Sequence, residues 1–254
     1  MLRIFLMQTR AEMLKFYRIP AFIFFSLGLP LIIFVFFGLQ HATQHISPFS
    51  SITVGTYVMA SMAAYTVGNV MVFSFGMALA IERGQKQDVL LRASPLPPVV
   101  YILAKVINAA FFALGALIVL FVFAHFAASV NLDLGTWAKL AALLLLGSIP
   151  FIGLGLGFGY LVGPNAAPAV INIVYLPIAF ASGIFIPVDQ LPEVIRKIAP
   201  YLPLHPFVEL GWNSIGVATD NSVTTDVLYL LAYAIAFFIL AVWAYRRDTA
   251  TKFA

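Results

Sequence analysis

Residues 53–98 read TVGTYVMASMAAYTVGNVMVFSFGMALAIERGQKQDVLLRASPLPP. No charged residue occurs from Thr53 to Ile81, and then charge and proline crowd the stretch from Glu82 to Pro98. A membrane-spanning helix takes about 20 predominantly apolar residues. The uncharged run therefore predicts a span, and the charged segment predicts its emergence into water. At about 1.5 Å per residue such a helix is roughly 45 Å long, more than the ~30 Å hydrocarbon core, so it tilts or projects beyond the bilayer. Apolar and polar residues do not alternate with a period of two, which argues against a transmembrane β-barrel.

The same kind of run recurs at residues 19–39, 99–128, 138–162, 169–188 and 227–245. The composition agrees: 62 % of the 254 residues are hydrophobic and 9 % are charged, against about 45–50 % and about 25 % in a soluble domain. So few charges cannot coat a water-soluble surface. The reading is an all-α integral membrane protein of six transmembrane helices, one domain over residues 1–254. Disorder, a coiled coil and a DNA-binding domain are excluded as whole-chain readings. With no cysteine, disulfides, thiolate zinc sites, Fe–S clusters and cysteine nucleophiles are excluded as well.

Lysine and arginine set the orientation. Arg3, Arg10, Lys15 and Arg18 precede the first run. Arg83, Lys86, Arg92 and Lys105 follow the second, and Arg246, Arg247 and Lys252 follow the last. The other side carries only Lys139, Arg196 and Lys197. Both termini are expected in the cytoplasm of a multi-pass protein of an inner or plasma membrane. This asymmetry accounts for the net charge of +4 without a nucleic-acid partner. The first run is too long for a signal-peptide core and no A-x-A pattern follows Leu39, so it reads as a retained span.

Three segments outside the runs carry further pattern. In residues 1–18, Ile4, Met7, Ala11 and Leu14 recur at helical spacing among Arg3, Arg10 and Lys15. This suits a helix lying in the cytoplasmic interface against lipid phosphates; the alternative is a flank that only sets topology. Residues 82–98 form the one substantial cytoplasmic loop, and so the main surface for a cytoplasmic protein partner. In residues 189–226, Leu191, Val194, Ile195 and Ile198 make an apolar stripe, followed by Pro200, Pro203 and Pro206. Two short helices dipping into the outer leaflet, as a re-entrant or interfacial pair, are expected there.

Chemistry is sparse. No Walker A sequence occurs, so the chain holds no ATP by a phosphate-binding loop. The glycine run from Gly153 to Gly159 lies inside a span; Gly155 with Gly159, and Gly159 with Gly163, have the spacing of close helix packing. No carboxylate sits near the middle of a span, which argues against an ion-coupled transporter and an intramembrane hydrolase. His41 and His45 lack neighbouring carboxylates or thiols for a metal site, and His205 with Glu209 is the one close acid–base pair outside. Tyr57, Ser61, Tyr65 and Asn69 line up every four residues on the second span. Asn172, Tyr175 and Ser182 share a face of the fifth, with Ala179. Such rows either glue helices through hydrogen bonds or line a path for an amphipathic substrate.

The arrangement resembles the permease subunit of ABC type-2 exporters, along essentially the whole chain. Glu82, Arg83, Leu90, Ser94, Pro95 and Leu96 fit a family segment similar to E-R-x-x-G-T-x-E-x-L-x-x-S-P-L, with the glycine displaced to Gly84 and Gln87-Asp88 in place of the usual Thr-x-Glu chemistry. Ser182, Gly183, Pro187, Leu191 and Pro192 fit S-G-x-x-x-P-x-x-x-L-P, and His205-Pro206 stands where Asn-Pro is common. The resemblance implies a permease paired with a second copy and with a separate cytoplasmic ATPase, which carries the ATP and Mg²⁺; this chain would hold no cofactor and catalyse nothing. It implies that Glu82, Arg83, Gly84, Gln85, Lys86, Gln87, Asp88, Val89, Leu90 and Leu91 form a coupling helix seated on the ATPase. Substrate would pass near spans two and five, along Tyr57, Ser61, Tyr65, Asn69, Asn172, Tyr175 and Ser182. Pro187, Leu191, Pro192, His205 and Pro206 would lie at an external gate. The cargo reads as hydrophobic or amphipathic: a drug, a lipid or a lipid-linked glycan. The alternatives are a membrane sensor or resistance module that works with an ATPase without transporting, and a sodium-extruding member.

Overall fold

The computed structural model describes residues 7, 9, 10, 13, 23–46, 52–86 and 98–252. Helix α1 runs through a π-turn, Phe24–Gly28, a short α-turn, Leu29–Ile33, and a second π-turn, Phe34–Gly38. Then follow α2 (Val54–Gly84), α3 (Pro98–Ala128), α4 (Leu134–Gly147), α5 (Ile149–Leu161) and α6 (Ala167–Ala181). Next come a 3₁₀ turn at Val188–Gln190, α7 (Glu193–Ile198), a second 3₁₀ turn at Ala199–Tyr201 and α8 (Leu204–Ser214); α9 (Val223–Lys252) closes the described chain.

Helix α2 is the axis of the bundle. Thr53 caps it, its Oγ1 accepting from Thr56 N at 3.3 Å. Its most apolar stretch is 94 % buried by protein, against 33 % for α3 and 17 % for α9. A helix apolar on every face belongs inside, whereas the exposed apolar faces of α3 and α9 suit lipid. Helix α5 lies between α2 and α9; α3, α6, α8 and α1 also pack on α2. Asp133 caps α4 by accepting from Thr136 N at 2.9 Å and from the Thr136 hydroxyl at 2.6 Å, bonds that hold its carboxyl below the usual range.

Among the described residues, three helices (α2, α3 and α9) are long and apolar enough to cross a membrane alone, and the α4–α5 pair makes a fourth. The six-run reading meets three corrections or limits here. The run 138–162 is not one straight helix: it bends by 40° between Gly147 and Ile149. Pro150, in the first turn of α5, brings no N–H, and the Ser148 hydroxyl donates to the Leu145 carbonyl at 2.7 Å. The run 169–188 yields a 15-residue helix, because the chain reverses at Gly183 with φ +85°. That is about 22 Å of helix, short of a ~30 Å core. The run 19–39 begins in residues outside those described. So does most of the expected interfacial helix, of which 7, 9, 10 and 13 have helical backbone.

The segment 189–226, expected outside, divides differently from the expected pair. Helix α7 presents its stripe outward, with Val194 75 % exposed. Helix α8 is instead housed by protein, packed on α2, α4 and α9, with every residue buried except Asn213. Its eleven residues find their apolar surroundings in neighbouring helices, and its last carbonyls are met by the chain that follows: Val217 N donates to the Trp212 carbonyl at 3.0 Å and Gly216 N to the Asn213 carbonyl at 3.1 Å.

Candidate functional site: polar clusters along the central helix

The last turn of α2 carries the first residues of the charged segment, and the bundle takes them in. Glu82 is only 4 % exposed. Its Oε1 accepts from Lys105 Nζ at 2.9 Å, and its Oε2 accepts from the Tyr101 hydroxyl. Lys105 also lies 5.1 Å from the centre of the Tyr101 ring. Arg83 pairs with Asp248 on α9, donates to the Gly159 carbonyl at the end of α5, and stands 5.6 Å over the Tyr160 ring. One turn of α2 is thereby tied to α3, α5 and α9. Glu82 and Arg83 are thus not surface groups of a loop, as the sequence pattern suggested. The turn cannot point both ways, and pairing is what makes a buried charge tolerable.

The exposed face begins one residue later, at Gly84, Gln85 and Lys86. Gly84 touches Pro164: a Cβ there would stand 2.6 Å from Pro164 Cγ, so glycine permits the contact with the 163–166 turn. Lys86 has φ +56°, a left-handed backbone that ends the helical path of α2. Gln87, Asp88, Val89, Leu90 and Leu91, the remainder of the expected coupling helix, lie outside the described residues.

The polar row of α2 is engaged in holding the bundle together. Ser61 Oγ accepts from Trp212 Nε1 on α8 at 2.9 Å, and Tyr57 stacks on the Trp212 ring at 4.9 Å. The Tyr175 hydroxyl of α6 donates to the Tyr65 carbonyl at 3.4 Å, and the two rings lie 5.6 Å apart. Asn69 Nδ2 donates to the Tyr65 hydroxyl, and Asn69 Oδ1 accepts from Ser26 of α1, each at 3.4 Å. The row therefore joins α2 to three other elements. Asn172 is half-buried and donates to the Pro168 carbonyl one turn back at 2.9 Å. Ser182 is buried, its carbonyl accepting from His205 Nδ1 at 3.0 Å.

The residues expected at an external gate separate into two groups. Pro187 and Pro192 are exposed and Leu191 is half-buried beside the short 3₁₀ turn. His205 and Pro206 are buried in the first turn of α8, where a proline costs no helical hydrogen bond. His205 leads to a cluster that the spacing only hinted at. Its Nε2 is 3.7 Å from Glu209 Oε1. Glu209 is buried and accepts from Asp220 N at 3.2 Å and Asn221 Nδ2 at 2.8 Å, which pins the 216–222 turn to α8. Asp226, in the first turn of α9, is fully buried and faces the Glu209 carboxylate. Among the described residues no group of three or more His, Asp or Glu could hold a metal ion.

Several partners were beyond sequence reasoning. Tyr101, Asp248 and Trp212 give no local signal of what they meet. Gly153 and Gly157 were visible as glycines, but their use was not. A Cβ on Gly153 would lie 3.0 Å from Phe238 N, and one on Gly157 3.3 Å from Leu240. Those on Gly155 and Gly159 would meet Val72 O at 2.8 Å and Leu79 Cβ at 2.9 Å. Alternate glycines thus bring α5 against α9 and α2 at once, while a Cβ on Gly163 would meet nothing within 4 Å, so that glycine forms no packing pair.

A family model described as ABC-2 type transporter matches residues 4–212 of this chain. The chain is also similar to YvfS of Bacillus subtilis (strain 168), a protein named as a transport permease, at 25 % identity over 243 residues. The alignment covers 96 % of this chain and 97 % of that protein.

Proposed function

We propose, on the premise that this chain belongs to the ABC-2 type transporter family, that it is the permease subunit of an ATP-driven exporter. Members of this family are membrane transport components and not catalytic themselves; normally they pair with an ATPase subunit. In this reading two identical copies form the pathway, and each engages a cytoplasmic ABC ATPase through the segment after α2. ATP and Mg²⁺ are the partner's. The apolar run that ends in α1, and α6 together with the non-helical stretch to Pro187 that follows it, complete a set of six spans with α2, α3, α4–α5 and α9, and both termini face the cytoplasm.

The observation that carries the reading is the junction at Glu82 and Arg83. The most buried of the three long apolar helices runs straight into the charged segment, and its last turn is bonded to α3, α5 and α9. A displacement of the segment by a closing ATPase dimer would reach four helices through that turn. The partner's nucleotide state would then bias a two-state membrane element. The cargo is hydrophobic or amphipathic, in keeping with a large lipid-facing surface and no ion-coupling carboxylate at mid-span in the sequence. His205, Pro206 and α8 close the outer end.

Affinity purification of the tagged chain from its native membrane, with mass spectrometry of what accompanies it, tests this directly. A stoichiometric ABC ATPase is the expected result, followed by compound-stimulated ATP hydrolysis and vectorial transport in proteoliposomes. Stable recovery with no ATPase would overturn the assignment. Stimulated hydrolysis without transport would turn it into a sensor.

A further inference from the structure

A groove of about 270 Å³ lies where α3 meets the start of the first apolar run, bounded by Ile23 and Leu27 on one side and by Asn108, Phe111, Gly115 and Val119 on the other. We infer that this groove seats one phospholipid of the cytoplasmic leaflet, of the class whose headgroup carries a hydrogen-bond donor.

Three features converge. The groove is continuous with the lipid-facing surface of α3, since Phe111 and Val119 on its rim are 61 % and 44 % exposed. Gly115 keeps it open: a Cβ there would meet nothing within 4 Å. The polar end is unsatisfied. Asn108 is 2 % exposed, and its Nδ2 donates to Ala104 O at 2.8 Å and Thr9 O at 3.0 Å. Carbonyls only accept, so these bonds fix the amide nitrogen toward them. Asn108 Oδ1 is left buried without a donor, and the Thr9 hydroxyl oxygen beside this contact is also unpartnered. Buried acceptors without donors are rare and call for a partner. An apolar slot lined at one end by Asn108, whose Oδ1 is such an acceptor, fits an acyl chain joined to a donor-bearing head.

The depth agrees, given the orientation proposed above. Asn108 lies twenty residues before Ala128, the outer end of α3, which is about 30 Å of helix. That equals the ~30 Å hydrocarbon thickness and sets Asn108 at the cytoplasmic boundary, where headgroups begin. Gly115 and Val119 are about 10 and 17 Å deeper, at acyl-chain depth. An ethanolamine ammonium or a glycerol hydroxyl supplies the donor; a choline headgroup has none.

The test uses the full-length protein in phosphatidylcholine vesicles doped with phosphatidylethanolamine bearing a photoactivatable acyl chain, or with phosphatidylcholine bearing the same chain. Cross-linked peptides are located by mass spectrometry. The expected result is ethanolamine-lipid labelling concentrated on the peptide holding Phe111 to Val119, several-fold above the choline lipid. Gly115→Phe should reduce it to the choline level, while labelling of Ile235 and Ile239 on α9, which are exposed elsewhere, stays unchanged. Asn108→Leu should equalise the two lipids. Equal labelling by both lipids in the native protein, or labelling indifferent to Gly115→Phe, overturns the inference. Should Asn108→Leu not fold, those two comparisons still decide. No readout involves ATP or transport, so the outcome stands apart from the ATPase assignment.

Discussion

At Glu82 the chain buries a carboxylate in the last turn of its central helix, and the cost is met locally by Lys105 and Tyr101. Removing one member of a buried pair leaves the other charge uncompensated, which costs about 3–5 kcal/mol. Lys105→Met should therefore lower thermal stability in detergent sharply. Combining it with Glu82→Gln should restore most of the loss, because replacing both partners of a buried pair is close to neutral. A double variant as unstable as the single one would show that the pair does not act as a unit. Trp212 poses a milder case at the other end: its N–H is spent on Ser61, and Trp212→Phe should cost about 1 kcal/mol by thermal melting, with the ring packing on Tyr57 retained.

Among the elements, α5 depends most on what its residues lack. Its glycines alternate between two partners, Gly155 and Gly159 toward α2, Gly153 and Gly157 toward α9. Gly155→Ala would set a methyl 2.8 Å from the Val72 carbonyl oxygen, a backbone atom that cannot step aside. The expected loss is about 1–3 kcal/mol, read as a lower melting temperature. Gly115→Ala, into open space on α3, is the matched control and should be neutral or stabilising by up to about 1 kcal/mol. Should both substitutions melt alike, the close approach of α5 to α2 is not what the glycines provide. The broken α4–α5 pair and the shortened α6 belong to the same scale: Pro150 and Gly183 end helices inside stretches whose hydropathy continues past them.

For the whole molecule, the central question is how the segment after α2 acts on the rest. Deleting residues 86–88 leaves Glu82 and Arg83 and their bonds in place. Membrane insertion and folding should persist, while ATP hydrolysis by the partner no longer drives transport in proteoliposomes. Normal transport by the deletion variant would remove the coupling role from the segment. Weakening the Arg83–Asp248 tie acts differently, since it loosens α9 from α2 and should show first as lost stability.

Much of this was open to reading from the sequence. Runs of apolar residues without a period of two determined an all-helical membrane protein, because transfer to lipid depends on residue type and run length. The rows on α2 were visible as periodicity, and so was the close-packing role of Gly155 and Gly159. Only the tertiary structure shows what each row touches. Ser61, Tyr65 and Asn69 reach partners 151, 110 and 43 positions away, and no local spacing encodes those distances. It also decided that Glu82 points inward, that α8 rests in protein and not against lipid, and that Asp226 lies beside Glu209. Hydropathy states how much a residue gains by leaving water; what it leaves water for is set by the helices that fold against it.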